Sequence, residues 1–221
     1  EKGSKDSLEK LLEICGYVNE DFYTADEFLD QALIEKDNDN FTEALRLTDK
    51  GKAMGYEDIF YLKSVYVSIY SLMSEFDLAL EYLNSMEPRD SNGFDDIKWL
   101  DEAYLNTYYN LSDWNNLAYK SGELIKKYKI DPDALDYSLD LEFINENANL
   151  IKNIFDYRGQ AFNLMGDSSS AIENNDKFLK VGKAIENDDF ISLSFYRNAE
   201  AKNGAEEFFG AIQDINEYIK I

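Results

Sequence analysis

The chain has 221 residues, with 45 Asp and Glu against 22 Lys and Arg, a formal charge of −23 and no histidine. A surface so acidic repels phosphate backbones and anionic headgroups, which argues against nucleic acid and lipid as partners and favours protein or peptide, a basic one best. Without histidine, the usual general base and the commonest metal ligand are missing.

In chain order, the N-terminal stretch EKGSKDSLEK has no apolar signal core and no initiator methionine. This favours the cytoplasm, and admits an extracytoplasmic site after removal of a signal peptide. Asp6 with Glu9, and Thr24 with Glu27, have the spacing of capping boxes. They predict a cap helix near residues 7–18 and a longer helix near 25–37. The single cysteine, Cys15 in LLEIC, allows no internal disulfide and reads as a small apolar helix residue. Asp37, Asn38, Asp39 and Asn40 look like half a calcium loop, but Thr42 stands where the glycine belongs and Thr48 where the closing Glu belongs. A turn between helices is the better reading.

From there one phrase recurs: DNFTEAL at 39–45, SEFDLAL at 74–80, SDWNNLA at 112–118, GDSSSAI at 166–172 and EEFFGAI at 206–212. Its small or apolar anchors are Ala44, Ala79, Leu117, Ala171 and Ala211, spaced 35, 38, 54 and 40 residues apart. Each is preceded by a helical apolar stripe, such as Leu62, Val65, Tyr66, Ile69, Tyr70 and Met73. Two antiparallel helices joined by a short turn cannot bury both faces alone, so such pairs stack. The expected class is all-α. Pro88 and Pro132 fall just past expected second helices. The wide spacing contains residues 132–151, which open with Asp131 and Pro132 and hold no Gly or Pro breaker beyond them. They predict an inserted helix or an extension of the next one. The stretch EPRDSNGFDD, residues 87–96, lengthens another junction.

These repeats resemble the tetratricopeptide repeat. The best copy matches at Phe155, Gly159, Phe162, Gly166, Asp167, Ala171, Ile172 and Phe178, and the last at Phe195, Ala199, Ala201, Lys202, Phe208 and Gly210 to Ile212. Looser copies run through Phe28, Ala32, Phe41 and Ala44, through Tyr70, Phe76 and Ala79, and through Tyr104, Tyr108, Trp114 and Leu117. The resemblance implies one right-handed α-solenoid with repeats near 25–58, 60–94, 98–131, 152–185 and 192–221. It also implies a peptide-binding concave groove lined by the first helix of each pair.

The face opposite each apolar stripe then gives Tyr61, Ser64, Ser68 and Ser71; Trp99, Glu102, Asn106 and Tyr109; Asp156, Gln160 and Asn163; and Tyr196, Glu200 and Asn203. Amides can donate to and accept from a peptide backbone, and aromatics give contact area at low entropy cost. The serine stripe reads equally well as small residues where helices pack. Some members of the family clamp a C-terminal carboxylate with Lys, Arg and Asn, but the matching places here hold mostly Ser, acids and neutral amides.

No phosphate-cradling loop, zinc spacing or nucleophile elbow occurs, so the expectation is a non-enzymatic protein-interaction module without a cofactor or metal. It would serve as adaptor, chaperone or assembly subunit. The alternative is an acidic inhibitor or immunity-type protein that masks a basic surface by charge. No uncharged stretch is long enough to span a bilayer. The ends of a repeat stack can also pair with a second copy, which admits a homodimer.

Overall fold

A computed structural model describes residues 23–89, 93–134 and 138–221. The cap helix expected near 7–18, with Cys15, lies outside the described residues. The chain divides into two compact units, Glu1–Glu87 and Pro88–Ile221, and the division falls at the lengthened junction. Among the described residues there are helices and no strand.

The first unit holds α1 (Ala25–Asp37), α2 (Phe41–Ala53), α3 (Ile59–Leu72) and α4 (Phe76–Asn84). The second holds α5 (Phe94–Asn110), α6 (Trp114–Lys127), α7 (Leu141–Glu146), α8 (Ala148–Leu164), α9 (Ser168–Ala184), α10 (Asp188–Gly204) and α11 (Phe208–Lys220). Chain neighbours pack as pairs: α1 on α2, α3 on α4, α5 on α6, α8 on α9 and α10 on α11.

Local chemistry sets where these helices start and stop. The Thr24 capping box forms in full: Glu27 N donates to Thr24 Oγ1 at 3.2 Å, and Thr24 N donates to Glu27 Oε2 at 2.7 Å. Each pair then turns by one device. The chain leaves the first helix through one residue of left-handed conformation: Asp39, Ser74, Ser112, Gly166 or Glu206. At Gly166, φ is +80°. Its N–H reaches the carbonyl of Asn163 at 3.0 Å, and the N–H of Asp167 reaches that of Phe162 at 2.9 Å. This is a Schellman closure, which satisfies carbonyls that a helix end leaves orphaned. Asp167 Oδ1 then accepts from Ser170 N at 3.1 Å and opens α9. The half calcium loop is the same turn, with Asn40 N donating to the Glu35 carbonyl at 2.9 Å.

One turn past each of these closures stands an anchor residue. Ala44, Ala79, Leu117 and Ala171 are wholly buried, and Ala211 nearly so. Gly159 serves the close approach of α8 and α9, because a Cβ there would lie 2.3 Å from Asn175 Oδ1.

Residues 132–151 take a less regular course than an unbroken helix. Asp131 Oδ1 accepts from Asp133 N at 3.1 Å, a local turn that competes with helix initiation. Lys177 and Lys180 of α9 then hold Asp131 and Asp133 at 3.2 and 2.5 Å. The next described helix is α7, where Asp140 Oδ1 accepts from Phe143 N. It stops at Asn147 (φ −113°, ψ 27°), and α8 starts directly afterwards.

Candidate partner-binding face

In the second unit the first helices are α5, α8 and α10, with α8 touching both of the others. Their buried stripes are Leu100 and Leu105 on α5; Ile151, Ile154, Phe155 and Gly159 on α8; and Phe190, Ser194, Asn198 and Ala201 on α10. Packing these stripes inward turns the opposite positions toward one shared face.

On that face the structure links five of the predicted residues. Tyr109 stacks on Tyr157 with ring centroids 4.7 Å apart. The Tyr109 hydroxyl donates to Gln160 Oε1 at 3.2 Å, and the Tyr157 hydroxyl donates to Asn106 Oδ1 at 3.1 Å. Gln160 Nε2 donates to Asp156 Oδ2 at 2.9 Å. Arg197 closes the network: its Nε donates to Asp156 Oδ1 at 2.6 Å, and a terminal nitrogen donates to Glu200 Oε2 at 2.7 Å. The chain of bonds runs from α5 through α8 to α10.

Burial and charge act together here. Burial works against the Arg197 charge, but hydrogen bonds and charge from Asp156, then Glu200, outweigh it and hold the guanidinium above its ordinary value. Burial first, then the Asp156 charge, raises the Tyr157 hydroxyl, which therefore stays a donor.

Of the other predicted residues, Tyr196 borders this network, with the Arg197 guanidinium 5.4 Å from its ring centroid and a Glu200 hydrogen bond raising its hydroxyl. On α5, Trp99 and Glu102 are half-buried, two turns and one turn before Asn106. Asn163 sits beside Gly204, where a Cβ would come 3.5 Å from its Oδ1. Tyr196 lies against Tyr218 of α11 at 5.9 Å, and Asn203 is exposed. In the first unit, Ser64, Ser68 and Ser71 form a half-buried stripe on α3. Ser64 Oγ donates back to the Tyr61 carbonyl at 2.7 Å, and the Tyr61 ring packs on the clusters around Leu62 and Val65. The Ser64 hydroxyl and the Tyr61 ring are thus used within their own unit.

Sequence reading missed Arg197 and Tyr157. A signal for Arg197 was available, since Arg197 and Glu200 are three apart and Asp156 lies about one repeat upstream. Arg197 changes the electrostatics of the face, because Asp156 and Glu200 are paired internally. Among the described residues no group of His, Cys, Asp or Glu is arranged to hold a metal ion. No described helix is long and apolar enough to cross a membrane.

A second feature lies on another side of the same unit. A cavity of about 380 Å³ opens between α6, α8 and α9, walled by Ala118, Gly122 and Ile125 and entered by Arg158. Compared with protein-family models and with curated proteins, the chain matches none.

Proposed function

We propose that this chain is a right-handed α-solenoid of the tetratricopeptide type. It acts as a non-enzymatic interaction module that takes an extended protein segment across the face of α5, α8 and α10. The observation that carries this reading is the Asn106–Tyr157–Tyr109–Gln160–Asp156–Arg197–Glu200 network. It joins aromatic plates and amides of α5 and α8 to the Arg197–Glu200 pair of α10 in one hydrogen-bonded array. Rigid amides and tyrosines bind a peptide backbone with little ordering cost.

Arg197 engages both Asp156 and Glu200 and offsets one of their two charges, so the face stays acidic and its remaining contacts are those of amides and rings. The charge of −23 over the whole chain favours a basic partner at longer range. Adaptor, chaperone and assembly roles all use such a face. The apolar residues that α11 exposes, Phe209 and Ile219 among them, are where a second copy would pair.

The test is affinity capture from native lysate, comparing wild type with an Asn106→Arg, Gln160→Arg double variant whose fold is checked by circular dichroism. A partner held by wild type and lost by the variant supports the face. A partner indifferent to both changes sinks the reading. The acidic-inhibitor alternative rests on the net charge and predicts a complex that dissociates steeply with salt and ignores both substitutions.

A further inference from the structure

The geometry points to a binding subsite for a monocarboxylate on an apolar stem, in the cavity between α6, α8 and α9, with the Arg158 guanidinium as its anchor. Arg158 lies two residues from both Asp156 and Gln160, about 200° around α8 from each, so this subsite is separate from the face proposed above.

Three observations carry the assignment. Among the described residues the Arg158 guanidinium has no ion-pair partner. It lies 4.9 Å over the Phe162 ring, and its only protein hydrogen bond among the described residues is a long one, 3.4 Å, to Asn174 Oδ1. Its Nε is buried and has no hydrogen-bond partner. Buried arginine donors are ordinarily satisfied, as Arg197 shows in the same unit. Burial pulls the Arg158 guanidinium below its ordinary value, against the smaller opposing effect of Glu173 and Asp131.

The second observation is the direction of the fork. Nε and Nη2, the pair that grips a carboxylate side-on, lie at an equal 3.7 Å from where a Gly122 Cβ would be. Gly122 thus lets this edge pack directly against α6, and a carboxylate is gripped once the side chain swings toward the cavity. Lys126, also lining the cavity, has no ion pair or hydrogen bond among the described residues.

The third is the lining itself. Glu123, Asp131 and Glu173 balance Lys126, Arg158 and Lys177. Lys177 is taken by Asp131 at 3.2 Å and Glu173 at 3.5 Å, and Glu123 accepts from the Tyr119 hydroxyl at 3.0 Å. Arg158 and Lys126 are left to meet one added negative charge, and a dianion brings a second charge that no free cation of the lining offsets. Ala118 and Ile125 offer an apolar wall, and the volume lies in the range of small-molecule sites.

The experiment titrates the full chain, followed by ¹H–¹⁵N spectra that include the arginine Nε–H region. N-acetyl-leucine stands in for a peptide C-terminus, hexanoate for a free acid and N-acetyl-leucinamide for the uncharged control. Saturable binding with a dissociation constant on the order of 1 mM or tighter is expected for at least one carboxylate, and none for the amide. Response to N-acetyl-leucine alone assigns a peptide end, to hexanoate alone a free acid, and to both the shared headgroup. Arg158→Gln is expected to weaken binding by at least about tenfold. Gly122→Leu fills the space beside Arg158 and suits a helix better than glycine, so it carries the test if the first variant folds poorly. Silence with both carboxylates, an equal response to the amide, or binding that survives Gly122→Leu overturns the assignment.

Discussion

The two units build the same helix pair from different interiors. The first uses small apolar clusters and stacked tyrosines. Tyr66 lies 4.6 Å from Tyr82 and 6.4 Å from Tyr70, and its hydroxyl donates to Asp49 at 2.5 Å. Burial, with the Asp49 hydrogen bond next, drives that hydroxyl far above its ordinary range. The second unit has a larger cluster running from Leu105 to Phe190, with Phe155 and Phe178 stacked at 5.4 Å near its middle. It also buries the amides Asn174, Asn175 and Asn198. The lesson is that polar needs can be met by one bond from a second helix to the first helix of the next pair, as Asp49 of α2 and Tyr66 of α3 do, or by running them across successive first helices. Only the second arrangement lays out a surface that a partner can read.

The sharpest way to break this comparison is to cut each core in turn. Phe155 is wholly buried, so Phe155→Ala is expected to cost about 4 kcal/mol in the second unit. Both tryptophans, Trp99 and Trp114, belong to that unit. Tryptophan fluorescence during urea unfolding should therefore move to a lower midpoint. Phe28→Ala, in a cluster formed with Ala32 and Leu47, should leave the tryptophan midpoint in place and change only the far-ultraviolet circular dichroism curve. Equal shifts of the tryptophan signal by the two variants would mean that the units unfold together.

A smaller effect separates the two ways of pairing polar groups. Asp156→Asn removes the charge that faces Arg197 and should cost about 2 kcal/mol by the same urea measurement. Asp49→Asn keeps an acceptor for the Tyr66 hydroxyl and should cost about 1 kcal/mol or less. If the order reverses, the cross-helix network is not what fixes the face.

Much of the local plan was legible in the chain. Gly166 and Asp167, Thr24 and Glu27, and the anchors from Ala44 to Ala211 announce turns, caps and crossings, because each depends on a few neighbours in sequence. The course of residues 132–151 was less so. At its start Asp131 and Asp133 pair with Lys177 and Lys180 of α9, more than forty residues downstream, which no local pattern announces. Tyr157 and Arg197 were missed for a related reason. On a helical wheel each lies next to the chosen stripe, and only the neighbouring helix decides which of two adjacent positions faces it. Arg158 was invisible as a site, because an unpaired guanidinium is defined by what fails to approach it.

The finest test concerns a turn that the two units share. Ser74 in the first and Gly166 in the second hold equivalent closures, with φ of +62° and +80°. A side chain in this region crowds its own carbonyl, at a cost of roughly 1–2 kcal/mol that glycine escapes. Ser74→Gly should therefore stabilise the first unit, by somewhat less than about 1 kcal/mol because glycine also loosens the unfolded chain. Gly166→Ser should destabilise the second by about 1 kcal/mol, since a Cβ there meets nothing within 4 Å and the penalty is conformational alone. Circular dichroism melts of the two variants should thus move in opposite directions. Shifts of the same sign would mean that the closures are not equivalent, and that the kinship between the two helix pairs ends at the anchors Ala79 and Ala171.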